Sequence, residues 1–344
     1  MNWNPVQPKA QSNTLSGVFG LLCVLSMAVV CPVLGAGNQS HSADYWLKKL
    51  GPALTETSYQ GIFVYARGDQ VSSMQIAHRY RDGLVEERLV MQDGKLGEIV
   101  RKGMNVICIL PEQGRLELNQ VIPSGPFAEA FSNQLGPVDR WYRPEITGDD
   151  RIAGHDAVRL VLHARDSLRY SHQLWLEKTT GLPLKGKVMS FSGDMLEYFH
   201  FTSLTISDSI PDAEFVIRSR GREVSRTLAS QNGVEPDQTM EGWALGWKPE
   251  GFQPAAAPRT GSVKAVAFSD GLASFSVFVE PINGIEMPSG KSRIGATTVF
   301  MRTLKTEDDN YRITVVGEIP LQTALRVAES VSIDESALAR ASLQ

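Results

Sequence analysis

Asp270-Gly-Leu-Ala-Ser-Phe-Ser-Val-Phe-Val279 is the stretch that says most about the fold. Asp-Gly favours a tight turn, and the alternating side chains that follow from Ala273 predict a strand. A second β-branched run, Thr314-Val-Val-Gly-Glu-Ile-Pro320, ends in glycine and proline, and apolar residues then recur at helical spacing over Leu321–Val331. The C-terminal part is therefore predicted to be a small α+β module.

Residues 40–215 carry a mostly period-two pattern, with short joins rich in Gly and Asp. A short opening helix around Trp46 is predicted to end near Gly51-Pro52 or soon after, and a second helix is predicted over Pro126–Leu135. Short-looped strands in succession predict a curved antiparallel sheet with helices packed on one face. The predicted strands are Tyr59–Ala66, Ser72–Tyr80, Leu84–Met91, Gly97–Arg101, Val106–Leu110, Asp156–Ala164, Tyr170–Glu177, Leu184–Phe191 and Met195–Ser207.

The periodicity fails over residues 216–240, which are rich in arginine, serine and glycine and are predicted to be a polar linker. A second domain is predicted over residues 241–334. Its expected elements are strands near Ser262–Phe268, Ala273–Val279, Thr297–Thr303 and Arg312–Gly317, followed by the helix Leu321–Val331. The fold class is α+β in two domains.

The N-terminus has the order of a secretory signal peptide. Lys9 precedes an apolar run from Leu15 to Val30, Pro32 breaks the run, and small residues follow at Gly35-Ala36. We therefore expect residues 1–36 to be removed on export across the cytoplasmic membrane. An uncleaved membrane anchor is the alternative, although the run is short and interrupted for a span.

Composition and motifs argue against several functions. The formal net charge of −4 gives no electrostatic footprint for nucleic acid. The sequence has no Gly-x-Ser-x-Gly elbow, no His-Glu-x-x-His pair and no Cys-x-x-Cys. The six histidines form no close pair at metal-ligand spacing. We predict no catalytic residues, no metal and no cofactor.

Several segments resemble the RseB/MucB family of periplasmic regulators of the envelope-stress sigma factor. The second domain carries the family order Trp243, Trp247-Lys-Pro-Glu-Gly-Phe252, DGLASFSVFVEP and VVGEIP. In the first domain, Tyr59–Tyr65 resembles the family's first strand, and His155–Val161 with Tyr170–Leu184 resembles its central hairpin. The resemblance implies that the first domain is similar to LolA and LolB, an incomplete barrel with a hydrophobic hollow.

The resemblance also implies a function. Such a protein binds the periplasmic domain of a RseA/MucA-like anti-sigma factor and shields it from site-1 proteolysis. Lipid, lipoprotein or lipopolysaccharide fragments would then act as the signal for release. A periplasmic lipoprotein or lipid carrier of LolA type is the alternative, and self-association as a homodimer is left open.

Three groups of side chains are candidates for these contacts. Large apolar residues on one strand face would line the hollow, although core packing is the competing interpretation. Aromatic residues of the second domain would anchor the partner, and Phe278 is favoured because it points away from Phe275. Arginines of the linker would contact phosphates or an acidic segment, or simply be solvated. The candidates are Tyr59, Phe63, Tyr65, Met74, Ile76 and Tyr80 for the hollow, Trp243, Trp247, Phe252 and Phe278 for the partner, and Arg218, Arg220, Arg222 and Arg226 for the anionic contact.

Overall fold

The computed structural model describes residues 41–94, 97–110, 138–227, 240, 242–255, 264–282, 288–307 and 309–334. The proposed signal peptide and the predicted helix Pro126–Leu135 lie outside these residues. His41–Gln344 forms one compact unit. Within the described part of the chain, no helix has the length and apolar character needed to cross a membrane.

The first sheet has eleven antiparallel strands within the described residues. The strands are β1 Tyr59–Arg67, β2 Gln70–Arg81, β3 Leu84–Met91, β4 Glu98–Lys102, β5 Asn105–Leu110, β6 Tyr142–Ile152, β7 His155–Ala164, β8 Ser171–Glu177, β9 Pro183–Met189, β10 Met195–Ile206 and β11 Arg222–Thr227. Two meanders, β1–β5 and β6–β10, are joined edge to edge where β1 pairs with β10, and β11 adds to β5. The order across the sheet is β11-β5-β4-β3-β2-β1-β10-β9-β8-β7-β6.

Helix α1, Ala43–Glu56, packs against the inner face of this sheet. The Ser42 hydroxyl caps its first turn by accepting the Tyr45 amide N–H at 3.3 Å. The helix touches β2, β9 and β6, strands that are far apart in the sheet order, and β6 also touches β10. The sheet is therefore strongly curved, and the helix lies in its concavity. The buried helix residues are Trp46, Leu47, Leu50 and Ala53.

The second sheet carries the α+β module predicted from the C-terminal sequence. The short helix α2, Val138–Trp141, precedes β6, and the elements of the second part are β12 Trp243–Leu245, β13 Gln253–Ala255, β14 Lys264–Ser269, β15 Ser274–Pro281, β16 Gly290–Ile294, β17 Thr297–Lys305, β18 Asn310–Gly317, α3 Leu321–Glu329 and β19 Val331–Ile333. The order across the second sheet is β13-β14-β15-β18-β17-β16, and helix α3 contacts β17 and β18. Strands β12 and β19 form a separate two-stranded pair.

Helix α1 runs through Pro52 to Glu56, in agreement with a predicted end near Gly51-Pro52 or soon after. Elsewhere the structure corrects the sequence-based interpretation. Part of the segment interpreted as a linker is strand β11, which pairs with β5. Strand β6 was not predicted, because its edge position and its charged residues hide the apolar alternation.

Candidate partner-binding surface

The residues proposed for the hollow lie on the concave face, but that face is filled. Five of the six belong to one hydrophobic cluster with Trp46 and Leu50 of α1. Tyr80 is half-buried beyond this cluster. In this structure they are core residues, and lipid binding by them stays a prediction. The clustered five are Tyr59, Phe63, Tyr65, Met74 and Ile76.

Two of these aromatic side chains make specific contacts within the core. Tyr59 stacks on the His78 ring, with 5.1 Å between ring centroids. The Tyr65 hydroxyl donates a 2.7 Å hydrogen bond to Glu197. Burial, followed by the negative charge of Glu197, raises the pKa of Tyr65, so its phenol stays protonated and continues to donate.

A buried ion pair joins the two domains. Arg169 of the β7–β8 connection is fully buried and donates to the Asp270 carboxylate at 2.7 Å. It also donates to the Glu250 carbonyl oxygen at 2.7 Å and to Asp166 at 3.1 Å. Burial opposes the charge of Arg169, but Asp270 and Asp166 outweigh it and raise its pKa. The guanidinium therefore carries a permanent positive charge inside the seam.

Asp270 is fully satisfied by this arrangement. One carboxylate oxygen accepts from Arg169 and from the Tyr142 hydroxyl at 3.0 Å. The other accepts the backbone N–H groups of Leu272 and Ala273 at 3.0 and 2.9 Å. The Asp-Gly turn that the sequence indicated thus also forms the centre of the domain seam.

The rest of the seam is aromatic and apolar. The rings of Trp141, Tyr142 and Phe252 lie 5.2, 5.7 and 5.3 Å from the Arg169 guanidinium carbon. Leu272 of the second domain belongs to the hydrophobic core of the first. The two domains therefore share buried side chains, which favours one fixed arrangement of the domains.

A second contact between the domains is built around Glu197 at the end of the first sheet. Its carboxylate accepts from the Arg67 guanidinium at 3.2 Å and from the Ala296 amide at 2.9 Å. Arg67 also bonds Thr297 and donates to the Ile294 carbonyl oxygen at 3.2 Å. This contact holds the β16–β17 turn against the first domain.

The proposed aromatic anchors occupy different environments. Trp243 and Phe252 are buried in the second core, so a partner cannot reach them in this conformation. Trp247 is half-buried, with the Arg326 guanidinium 3.9 Å from its ring centroid. Phe278 is half-buried on the face opposite Phe275, as the alternation predicted. Trp247 and Phe278 are therefore the accessible members of this group, and their role in binding stays a prediction.

Three of the four candidate arginines have described side chains, and these three differ in their surroundings. The Arg218 guanidinium lies 3.6 Å from Glu214, and its backbone N–H donates to Glu98. Arg220 and Arg222 are exposed, whereas the side chain of Arg226 lies outside the described atoms. Arg222 and Arg226 both lie on strand β11. Contact with an anionic group through these residues stays a prediction.

A groove of about 550 Å³ lies between the domains. The first domain contributes the Ser167–Tyr170 connection and the β9–β10 turn, whose Phe191 is 78% exposed. The second domain contributes β16 and the first turn of α3. Gln322 and Thr323 of α3 hold the far wall through bonds to the carbonyl oxygens of Ser167 and Leu168 at 3.0 and 2.9 Å. These two hydrogen bonds connect the walls of the groove.

Within the described ranges, no group of three or more His, Cys, Asp or Glu side chains is placed to hold a metal ion. Asp149 and Asp150 lie in strand β6. Asp149 pairs with Lys178 at 2.7 Å, and Asp150 accepts the Trp175 indole N–H at 2.8 Å. These carboxylates have structural roles at the sheet edge.

His172 is buried beside the seam and supports a pH prediction. Its ring lies 5.9 Å from that of Tyr142, and its nitrogens find no hydrogen-bond partner among the described residues. Burial lowers the pKa of His172 from 6.5 to about 4. As the pH falls below 6.5, the unfolded chain binds a proton that the folded protein does not, so stability decreases, by up to about 3 kcal/mol near pH 4.

The variant His172→Phe removes this titrating group while keeping an aromatic ring. Its free energy of unfolding should therefore decrease less than that of the natural protein between pH 6.5 and pH 4. Urea unfolding at several pH values measures how the unfolding free energy of each protein depends on pH. Parallel decreases in the two proteins would assign the acid sensitivity to other groups.

These features define a β-rich protein whose two larger antiparallel sheets are linked by a buried ion pair and border a groove. Residues 42–218 match the MucB/RseB N-terminal domain, and residues 237–332 match the MucB/RseB C-terminal domain. The chain belongs to the MucB/RseB family, which confirms the resemblance noted in the sequence.

Similar proteins cover nearly the whole chain. The sigma factor AlgU regulatory protein MucB of Pseudomonas aeruginosa is 34% identical over 92% of this chain and 98% of its own length. The sigma-E factor regulatory protein RseB of Escherichia coli is 26% identical over 92% and 96%. The structure of the Pseudomonas aeruginosa MucA/MucB complex matches with a TM-score of 0.67 and 33% identity, covering 85% of this chain and 99% of that one. A crystal structure of MucB in complex with MucA(peri) matches with a TM-score of 0.66 and 32% identity over the same shares.

Proposed function

We propose that this protein is a non-enzymatic periplasmic regulator that binds the periplasmic region of a transmembrane anti-sigma factor. The observation that carries the proposal is the full-length similarity to MucB, a sigma factor regulatory protein whose structure is known with MucA(peri). Binding would cover the site at which the first protease cuts the anti-sigma factor. The sigma factor would then stay held at the membrane.

The geometry of the domain junction supports this proposal. A groove of about 550 Å³ can hold only part of an extended segment, so the remainder would have to bind on the surface around it. The groove runs between two domains that are held by a buried ion pair, so its walls are preorganised. The half-buried Phe278 and Trp247 add aromatic surface on the second domain.

The test uses the periplasmic fragment of the anti-sigma factor from the same organism. Calorimetry should give a dissociation constant for the full chain, and the site-1 protease should cleave the bound fragment more slowly than the free one. A fragment that binds without being protected would contradict shielding. A fragment that does not bind would contradict the function.

We propose further that lipid, lipoprotein or lipopolysaccharide fragments trigger release by entering the concavity of a LolA-like half-barrel. Because α1 fills that space, an acyl chain would have to displace Trp46 and Leu50. Burial of about ten methylenes would supply several kcal/mol at about 0.8 kcal/mol each. Coupling between lipid and partner would be reciprocal, each weakening the other by the same factor.

This mechanism predicts faster hydrogen exchange in α1 when lipid is bound. Amides of residues 43–56 should lose protection on addition of a lipid fragment, while those of β14 and β15 should not. Mass spectrometry of the exchanged peptides measures both regions in one sample. Lipid binding with unchanged exchange in α1 would place the lipid elsewhere.

A LolA-type carrier is the second candidate, favoured by the same curved sheet. A carrier would bind lipid but would not protect the anti-sigma fragment. The protease assay therefore separates the two functions.

A further inference from the structure

We propose that the free edge of β16 receives an extended, acidic segment of the protein partner as an additional strand. This inference rests on the proposed function, since it assigns a binding mode to the anti-sigma segment. β16 is the end strand of the second sheet and pairs on one side with β17. All five of its residues are exposed, and no strand of the described residues pairs with its outer edge.

The turn geometry identifies which backbone groups face outward. Gly295 and Ala296 form a two-residue hairpin turn, with Gly295 at φ +60°, and Ile294 pairs with Thr297 next to it. The two residues that close such a turn exchange two backbone hydrogen bonds. Along the two strands, hydrogen-bonded pairs of this kind alternate with pairs whose backbone groups point outward. Ser292 and Gly290 therefore bond to β17. Lys291 and Arg293 direct their N–H and C=O groups to the open edge.

The side chains of the same two residues select the charge of the occupant. Lys291 pairs with Phe300 and Arg293 with Thr298, so both side chains lie on the face toward the core and line the groove. Neither forms a salt bridge with a carboxylate in the described part of the chain. The N-terminus of α3 opens on the same groove and adds a positive partial charge. The site is thus complementary to Asp or Glu side chains.

Two carboxylates near the groove are already engaged, Asp194 and the Glu197 described above. Asp194 accepts from the hydroxyls of Ser190 and Ser192 at 3.2 and 2.6 Å. These bonds, followed by the positive charge of Arg293, lower the pKa of Asp194, so it remains ionised. Asp194 therefore offsets part of the charge of Arg293 without forming a salt bridge with it.

The groove also offers apolar surface for alternate residues of an added strand. Phe191 is 78% exposed on one wall, and Leu321 and Pro320 lie on the other. Side chains of an extended segment point to opposite faces in turn, so every second residue would face the groove. The fitting segment therefore carries acidic and apolar residues two positions apart. Basic residues on an edge also discourage pairing between identical edges, which favours an acidic partner over a second copy.

The test separates the backbone contribution from the charge. Arg293→Pro removes an outward N–H group but no hydrogen bond to β17. Arg293→Ala removes only the charged side chain and serves as its control. Lys291→Pro and Lys291→Ala form a second pair of the same design. Proline is tolerated at such edge positions. Calorimetry with the periplasmic fragment of the anti-sigma factor should show each alanine variant weakened a few-fold and each proline variant about tenfold further. Circular dichroism melting checks that the variants fold.

Hydrogen exchange in the natural protein gives a second readout that needs no substitution. The amides of Lys291 and Arg293 should exchange rapidly in the free protein and become protected in the complex. Those of Ser292 and Ile294 should be protected in both states. Proline and alanine variants that bind alike, or unprotected amides at Lys291 and Arg293 in a formed complex, would overturn the edge proposal alone. A natural protein that binds no fragment would overturn the proposed function and this inference with it.

Discussion

Replacing Asp270 with asparagine is expected to lower the free energy of unfolding by about 3–5 kcal/mol. Asparagine keeps the shape of the side chain and can still accept the N–H groups of Leu272 and Ala273. It cannot neutralise Arg169, which is fully buried and would then lie in the seam with only Asp166 as a charged partner. An uncompensated buried charge is far more costly than the loss of an ordinary hydrogen bond.

An exposed pair of the same chemistry provides the control. Arg151 donates to Asp156 at 3.1 Å, and both side chains are about 70% exposed. Asp156→Asn should therefore change stability by no more than about 1 kcal/mol. Chemical unfolding of the two variants at one pH gives the comparison. Similar losses in both would contradict the structural role assigned to Asp270.

The seam matters for function because it joins the two walls of the groove. Arg169 and Tyr170 belong to the same connection, so the residue that forms the ion pair adjoins one that lines the groove. Tyr170 also donates to the Ile319 carbonyl oxygen at 3.2 Å, just before α3. A change that loosens the ion pair should therefore also alter the groove. Partner affinity in Asp270→Asn would report this coupling.

The main elements of the fold could be predicted because burial of one face makes apolar residues recur at a regular spacing. Phe275, Val277 and Val279 alternate with half-exposed residues, and the structure buries these three in one core. This reasoning did not predict the edge strands β6 and β16. β6 and β16 carry charged residues on exposed positions, so neither has a clear apolar period. The missing signal is a direct consequence of their place at the sheet edges.

The candidate site was less accessible to sequence reasoning, since a buried aromatic and a binding aromatic look alike. Phe252 was proposed as an anchor but lies in the core against the Arg169 guanidinium. The ion pair between Arg169 and Asp270 was missed because its members are 101 positions apart. Neither a single Arg nor an Asp-Gly turn indicates in the sequence that the two side chains form an ion pair. The filling of the concave face likewise depends on where α1 packs, which no strand pattern encodes.

Gly251→Ala should produce the other large loss of unfolding free energy. This glycine has a backbone conformation that other residues rarely adopt, and it lies in close contact with Trp141. Its φ is +94°, and a Cβ there would lie well inside 3.0 Å of the Trp141 indole. Trp141 also covers the Arg169 guanidinium, so any shift of the indole disturbs the buried charge. Backbone strain and overpacking together should cost about 3 kcal/mol, measured as a loss of unfolding free energy.

Gly154→Ala separates the two contributions to that loss. Gly154 has a similar φ of +86°, but a Cβ at this position would meet no atom within 4 Å. Its replacement should cost only the backbone penalty, about 1 kcal/mol. The difference between the two variants then measures how tightly the second domain is seated on Trp141. Equal losses would mean that the indole moves aside freely, and a seam that yields so easily could not hold the groove in one shape for a partner.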